Sequence, residues 1–262
     1  MLLTFKQFLD NLEGLKSHWF SVTNEGIEIT NEGVEVTDTI IRTLCYYNNA
    51  LGVDNIRQKL FKESKNNFYI CGLLDEVEIL QYNSRFFDFG LLKMCSPILS
   101  DNEGLIQRYA KLRYRAYGKM PDMDFDVAKG RVSIWCNTVQ FFMENNTEGI
   151  ERNLNIIETK VLHKTDTKRV GFVDDYEFYK ALYESNKPKM EEVLEKLVSP
   201  KIHKKRSDNE VIGQYFSFLA TGYAKLAWRK GIEVEVNSPL VPKELLPILP
   251  NDNYDIPYDF LK

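Results

Sequence analysis

An all-α fold is what this sequence predicts, and three observations predict it. Between Thr37 and Ala227 the apolar residues recur at the three- to four-residue spacing of a helix face. Three pairs, Ser100 with Glu103, Asp174 with Glu177 and Ser207 with Glu210, have the spacing by which two side chains satisfy the free N–H groups at a helix start. Beyond Asn237, the residues Pro239, Pro242, Pro247, Pro250 and Pro257 exclude a regular helix. The expected architecture is a compact bundle of about eight to ten helices in antiparallel hairpins, with a proline-rich C-terminal tail wrapping the core.

With 262 residues, 44% of them hydrophobic and 13% aromatic, the chain is long enough to bury one large core. It is read as a single domain over 1–262: a helix and an excursion over 1–36, a helical core over 37–236 and the tail over 237–262. The excursion carries a tandem at 23–36, TNEGIEI then TNEGVEV, whose glycines and period-two alternation favour a short β-hairpin or ordered loop over helix. From Thr37 to Ala50 the residues Ile40, Ile41, Leu44 and Cys45 form one stripe. Gly52 and Asp54 then read as a stop and a new start before Ile56, Leu60 and Phe61, which makes a helical hairpin. A third segment places Ile70, Leu73, Leu74, Val77, Leu80, Ser84 and Phe87 on one face.

The Ser100 pattern opens a helix carrying Leu105, Ile106, Tyr109 and Leu112. After Pro121 a helix is expected through Ala128, Val132, Trp135, Val139 and Met143, followed by one with Ile150, Leu154, Ile157 and Val161, and a polar connection from His163 to Gly171. A second hairpin carries Phe178 and Leu182 on one arm and Met190, Val193 and Leu197 on the other, closed by Ser199 and Pro200. The Ser207 pattern opens a helix from Val211 to Ala227 that is apolar on more than one face, the expected central helix, ending at Arg229, Lys230 and Gly231 as a helix C-terminus favours. In the tail, only a short turn around Lys243 to Leu246 is expected to be helical.

The 34 basic and 38 acidic residues leave a net charge of −4, without the global cationic field that draws a chain to nucleic acid or anionic lipid, and a basic partner suits that sign better than an acidic one. Polar residues interrupt the N-terminal apolar run, as a signal peptide would not, and no stretch is apolar enough to span a bilayer, so a cytoplasmic chain without a membrane partner is expected. Cys45, Cys71, Cys95 and Cys136 are far apart in apolar helical patterns and read as small buried hydrophobes of a reducing compartment.

Asp122, Asp124 and Asp126 alternate in PDMDFD and invite a metal reading, because hard cations take clustered carboxylates. A helix start is the better account, since the glycine turn and terminal Glu of a calcium loop are missing. Lys201, His203, Lys204, Lys205 and Arg206 form a basic run read as a solvated loop. His18, His163 and His203 have unrelated contexts, and no nucleotide, cofactor or hydrolase motif occurs, so no catalytic residue and no cofactor are assigned. Cys–His partners meet only in a fold, and the thiols are read as structural.

The stretch FLATGYAKLAWRKGIEVEVNSPLVPKELLP, 218–247, resembles the C-terminal signature of the immunity protein 49 family of bacterial polymorphic toxin systems. The likeness lies in the small, apolar helix before Trp228, the basic pair with Gly231, then Ser238 and Pro239, and a turn carrying Pro242, Leu245 and Leu246. Trp228 and Asn237 depart from the family's usual residues. The resemblance implies a cytoplasmic, all-helical, non-enzymatic protein that binds a cognate toxin encoded by a neighbouring gene, and it assigns no toxin-contact residue. Two rivals are a helical-repeat adaptor, disfavoured because no fixed period follows residue 37, and a hydrolase using the acidic cluster.

Overall fold

The computed structural model describes residues 4–26, 38–89, 91–163 and 172–262, and among these there are twelve α-helices and no strand. The first is α1, Phe5–Gly26, so the opening four residues of the tandem repeat, 23–26, are helical and not part of a hairpin; the rest of the tandem lies outside the described residues. Most of the connection expected over 163–171 lies outside them too.

Helices α2, Asp38–Arg57, and α3, Phe61–Tyr82, make the expected hairpin with its turn in a different place. The chain reverses at 58–60, where Lys59 takes a left-handed φ of 62° and Leu60 N–H reaches the Asn55 carbonyl at 2.8 Å. Gly52, expected to stop a helix, is a buried residue in the middle of α2. A Cβ there would stand 2.9 Å from the Phe68 ring, so the glycine serves the close approach of two helices. Helix α3 is buried on most of its circumference, from Ser64 to Ile79, although Leu80 faces solvent where the stripe placed it inside.

Two short 3₁₀ turns lead to α4, Cys95–Ser100, and α5, Glu103–Ala110. The cap of α5 is Asn102, whose Oδ1 accepts from Leu105 N–H at 2.8 Å, and Ser100 belongs to the preceding helix. The single helix expected after Pro121 is split into α6, Met123–Ala128, and α7, Ser133–Glu144, by Gly130 at a φ of +68°. Then come α8, Thr147–Ile156, which runs on as a π-turn over Ile157–Val161, and the hairpin of α9, Phe172–Tyr183, with α10, Lys187–Val198.

The basic run is no loop. It forms α11, Pro200–Arg206, with proline at its first turn and its cations at the negative end of the helix dipole. The expected central helix is interrupted as well: Asn209 satisfies the N–H groups of Val211 and Ile212 in a short 3₁₀ turn, and α12, Phe218–Arg229, starts afresh on the Ser217 cap. The extra breaks explain why the helices outnumber the sequence expectation. In α12, Gly222 lets Cys95 of α4 approach, since a Cβ there would meet its sulfur at 2.6 Å.

The main core gathers Trp135, Tyr109, Phe178, Tyr179 and Tyr223 from α5, α7, α9 and α12, with Phe178 and Tyr223 stacked at 4.4 Å between centroids. After Gly231 the chain runs extended along α10, where Glu191 accepts from Glu235 N–H at 2.8 Å and Glu195 from Asn237 N–H at 2.6 Å. The expected turn is a 3₁₀ turn at Lys243–Leu245, and Val241, Leu245 and Leu246 are buried.

The tail is fastened by charge. Lys65 of α3 and Lys225 of α12, both buried, each hold Asp101 Oδ2 at 2.8 Å. Both also reach the tail: Lys225 Nζ donates to the carbonyls of Leu245 and Pro247 at 2.7 and 2.6 Å, and Lys65 Nζ to that of Leu249 at 2.6 Å. Further out, Tyr254 OH donates to the Ser100 carbonyl at 2.7 Å and Tyr258 OH accepts from Asn48 at 3.0 Å. Asp101 has a left-handed φ of 60°, which asparagine also tolerates, so Asp101→Asn removes the charge with little change of shape. Two buried ammoniums would then face a neutral amide, and the expected loss is about 3–5 kcal/mol of unfolding free energy in urea titration. A midpoint unchanged from the parent would refute this role for the charge.

Candidate functional site

Polar side chains converge most densely in a cleft between the α2–α3 hairpin and α11. Helix geometry supplies one wall: Arg42, Cys45 and Asn49 are spaced three and four residues apart on α2 and so share a face. Asp75 and Glu78 come from α3, and Lys93 from the 3₁₀ turn Leu91–Met94. The far wall is α11 and the residues after it, with His203, Arg206 and Asp208.

Asp75 is buried at the base. It receives the Cys45 thiol at 3.5 Å and the Tyr109 hydroxyl at 3.4 Å, and burial, then the neighbouring Cys45, push its pKa well above the carboxylate range. The Cys45 thiol is pulled down to about 7, first by its contact with the Cys71 thiol, against the cost of burial and with help from Lys93 and Asp75. Lys93 keeps its charge: burial opposes it, but Cys45, Asp75 and Tyr46 hold its pKa above the usual lysine range. Its ammonium lies 4.6 Å from the Phe86 ring centre. At the rim Glu78 accepts from Arg42 at 3.1 Å and from Ser84 at 2.9 Å.

The opposite wall is locked from behind. Arg206 donates twice to the buried Asp175 at 2.9 and 3.0 Å, and Asp175 also accepts from Tyr223 at 2.9 Å, so α11 is tied to α9 and α12. His203 Nε2 is bonded to the Gly213 carbonyl at 2.7 Å. Cys45 and His203 therefore border one cleft, but the thiol's partners are Cys71, Asp75 and Asn49 and the imidazole's is a backbone carbonyl. The thiol is acidified, but no hydrogen bond joins it to His203, the base that a Cys–His mechanism would use. All four cysteines are buried and outside any disulfide, as their apolar contexts suggest, although Cys45 does more than fill space.

The three aspartates of PDMDFD are not brought together. Asp122 caps α6, accepting from Phe125 N–H at 2.8 Å; Asp124 is exposed and pairs with Arg113 at 3.3 Å. Asp126 is fully buried and binds Arg131 at 2.7 Å, Tyr114 at 3.0 Å and Arg85. Among the described residues no group of three or more carboxylate, thiol or imidazole side chains is placed to hold a metal ion. The signature residues near the C-terminus have structural posts: Trp228 Nε1 donates to Val234 O at 3.0 Å, Gly231 takes a φ of +76° after α12, and Ser238 Oγ accepts from Leu240 N–H at 3.3 Å. Pro239 is exposed, Pro242 precedes the 3₁₀ turn, and Leu245 and Leu246 are buried.

Asp75 and Lys93 were not singled out by sequence. The one available signal was an acid within the apolar run ICGLLDEVEIL, four residues after Cys71.

Two outcomes follow from these environments. A carboxyl whose folded pKa is raised stabilises fully below its unfolded value, about 4, and loses that contribution as pH climbs towards the folded value. Asp75→Asn, neutral at every pH, should therefore match the parent's melting temperature near pH 4 and exceed it near pH 8, by up to about 1.4 kcal/mol per pH unit in between. A parent whose advantage grew with pH would reverse the sign. Separately, Asp126→Asn should cost about 2–3 kcal/mol, because two arginines lose a buried charged acceptor, whereas Asp124→Asn should stay within about 0.5 kcal/mol. Chemical unfolding of the two variants side by side checks the contrast.

A family model described as Immunity protein 49 matches residues 74–245, well over half of the chain. No curated protein and no solved structure matches it. The matched stretch takes in Asp75 and Lys93 of the cleft, the Asp101 anchor with its partner Lys225, the aspartate segment, and the C-terminal signature as far as Leu245. The chain belongs to the immunity protein 49 family.

Proposed function

We propose that this protein is a cytoplasmic immunity protein that neutralises a cognate toxin, encoded by a neighbouring gene, through stoichiometric protein–protein binding and without catalysis. The observation that carries the reading is the family match over residues 74–245. It covers the helices from the second half of α3 to α12, together with Asp101 and Lys225 of the charged anchor. No described helix is long and apolar enough to cross a membrane, which accords with a partner met in solution.

The cleft supports binding over turnover. Its reactive groups are committed to one another: Asp75 to Cys45 and Tyr109, His203 to a carbonyl, Arg206 to Asp175. The specific observation favouring a second reading, a hydrolase, is that Cys45 and His203 share this cleft with the thiol near neutral pKa. One experiment separates the two. An immunity protein must hold its toxin at low cellular concentration, so the complex should have a Kd on the order of nanomolar, about −12 kcal/mol. Titrated against the neighbouring toxin, protection should saturate near one protein per toxin, and Cys45→Ser should protect as well as the parent. Rescue of a large toxin excess by a small fraction of protein, abolished in Cys45→Ser, would establish catalysis in place of binding.

A further inference from the structure

We propose that the turn carrying Tyr117 and Met120, with Phe125 of the helix α6 that follows it, is the surface that grips the toxin, and that the face it fits is an apolar pocket rimmed by acidic side chains. The inference rests on the immunity reading and supplies what that reading lacks, a contact surface.

Three large apolar side chains within nine residues stand in water, Tyr117 80% exposed, Met120 52% and Phe125 48%. Elsewhere in the described structure exposed large apolar residues occur singly or in pairs, such as Leu80 with Tyr82 and Ile248 with Leu249. Isolated cases need no account, but three within a turn and the first helical turn after it match the anatomy of an interface centre, where tyrosine, phenylalanine, methionine and arginine are enriched.

The cluster is held ready by rigid structure beneath it. Tyr117 and Met120 exchange two backbone hydrogen bonds of 2.9 Å around Gly118, whose φ is +57°. Asn83, at the end of α3, clamps Arg115 on both backbone groups, at 3.0 and 2.6 Å. Arg85 donates to the Pro121 carbonyl at 3.0 Å, and Met123 N–H to the Tyr114 carbonyl at 3.2 Å. The Asp122 cap and the buried Asp126 then fix α6, which carries Phe125. A platform ordered before the partner arrives gives up little conformational freedom on binding, which is where much affinity is otherwise lost.

Charge sets the partner's sign. Over 111–131 the chain has six cations, Lys111, Arg113, Arg115, Lys119, Lys129 and Arg131, against three aspartates, although the protein as a whole is at −4. Of those aspartates, Asp126 is buried against Arg131, Asp124 pairs with Arg113 and Asp122 spends an oxygen on the helix start, so the excess is carried by Lys111, Arg115, Lys119 and Lys129. Lys129 and Arg131 lie 5.4 and 5.9 Å from the Phe125 ring, so the cations border the apolar centre. The whole-chain charge favours a basic partner, but at physiological salt charges beyond about 8 Å are screened. Within the contact the local sign decides, and it selects an acidic rim.

The test uses the toxin domain encoded beside this gene, inactivated at its own active site, with binding followed by biolayer interferometry. Tyr117→Ala and Phe125→Ala should each weaken the complex by about thirtyfold or more, the loss expected of a central anchor. Lys119→Glu should slow association, the more so at low salt. Since these side chains are exposed, all three variants should melt with the parent. Variants that melt normally and bind as tightly as the parent would overturn this surface while leaving the immunity reading standing. A parent that does not hold the toxin would overturn both. Parent protein that captures labelled duplex DNA, with capture lost in Lys119→Glu and toxin affinity untouched, would assign the turn to nucleic acid and overturn the proposal.

Discussion

One carboxylate, Asp101, decides how the two ends of this molecule meet. It lies between α4 and α5, takes a lysine from α3 and another from α12, and those same lysines hold the carbonyls of a tail without regular structure. An irregular segment passing over a helical core brings carbonyls that no ladder satisfies, and burying them unpaired is costly. Lysine, with three donors on one nitrogen, can answer a carboxylate and two carbonyls together, as Lys225 does. The desolvation involved is visible in Lys225 itself, whose pKa burial pulls down to about 8.

The helical character of the chain was legible because it rests on periodicity, which is local. The places where helices start and stop were less so, because several residue types can do the same task. Ser100 and Asn102 are both competent caps, and the left-handed turn at Asp101 gave the task to Asn102. Gly52 shows the converse: a residue that ends helices in isolation was kept inside one by the Phe68 ring crossing it. Asp122 was read correctly as a helix start because capping acts over three residues. The cleft was not legible, since Cys45 and Asp75 are thirty residues apart and meet only when the hairpin closes.

The cleft and the aspartate segment divide the polar chemistry of the protein between them. Around Asp75 buried groups meet thiols and hydroxyls, with the ammonium of Lys93 beside them. Around Asp126 the buried carboxylate meets arginines that reach out to the surface, and that pairing stiffens a turn from below. The same residue type is thus a core component in one place and a foundation in the other. The difference lies in whether a cation with a long, partly solvated stem is within reach.

The tail anchor also bears on how the chain matures. During synthesis the N-terminal part of a protein folds first, and here Lys65 and Asp101 emerge long before the carbonyls of Leu245, Pro247 and Leu249. Until those arrive, the pocket for the tail holds charged groups that keep water around them, and the helices cannot close over it at low cost. Closure of this seam therefore waits for the segment that carries Leu245, Pro247 and Leu249. A nascent chain broken off before Leu245 would leave Lys65 and Lys225 without these carbonyls and keep a wet, open seam between α3 and α12.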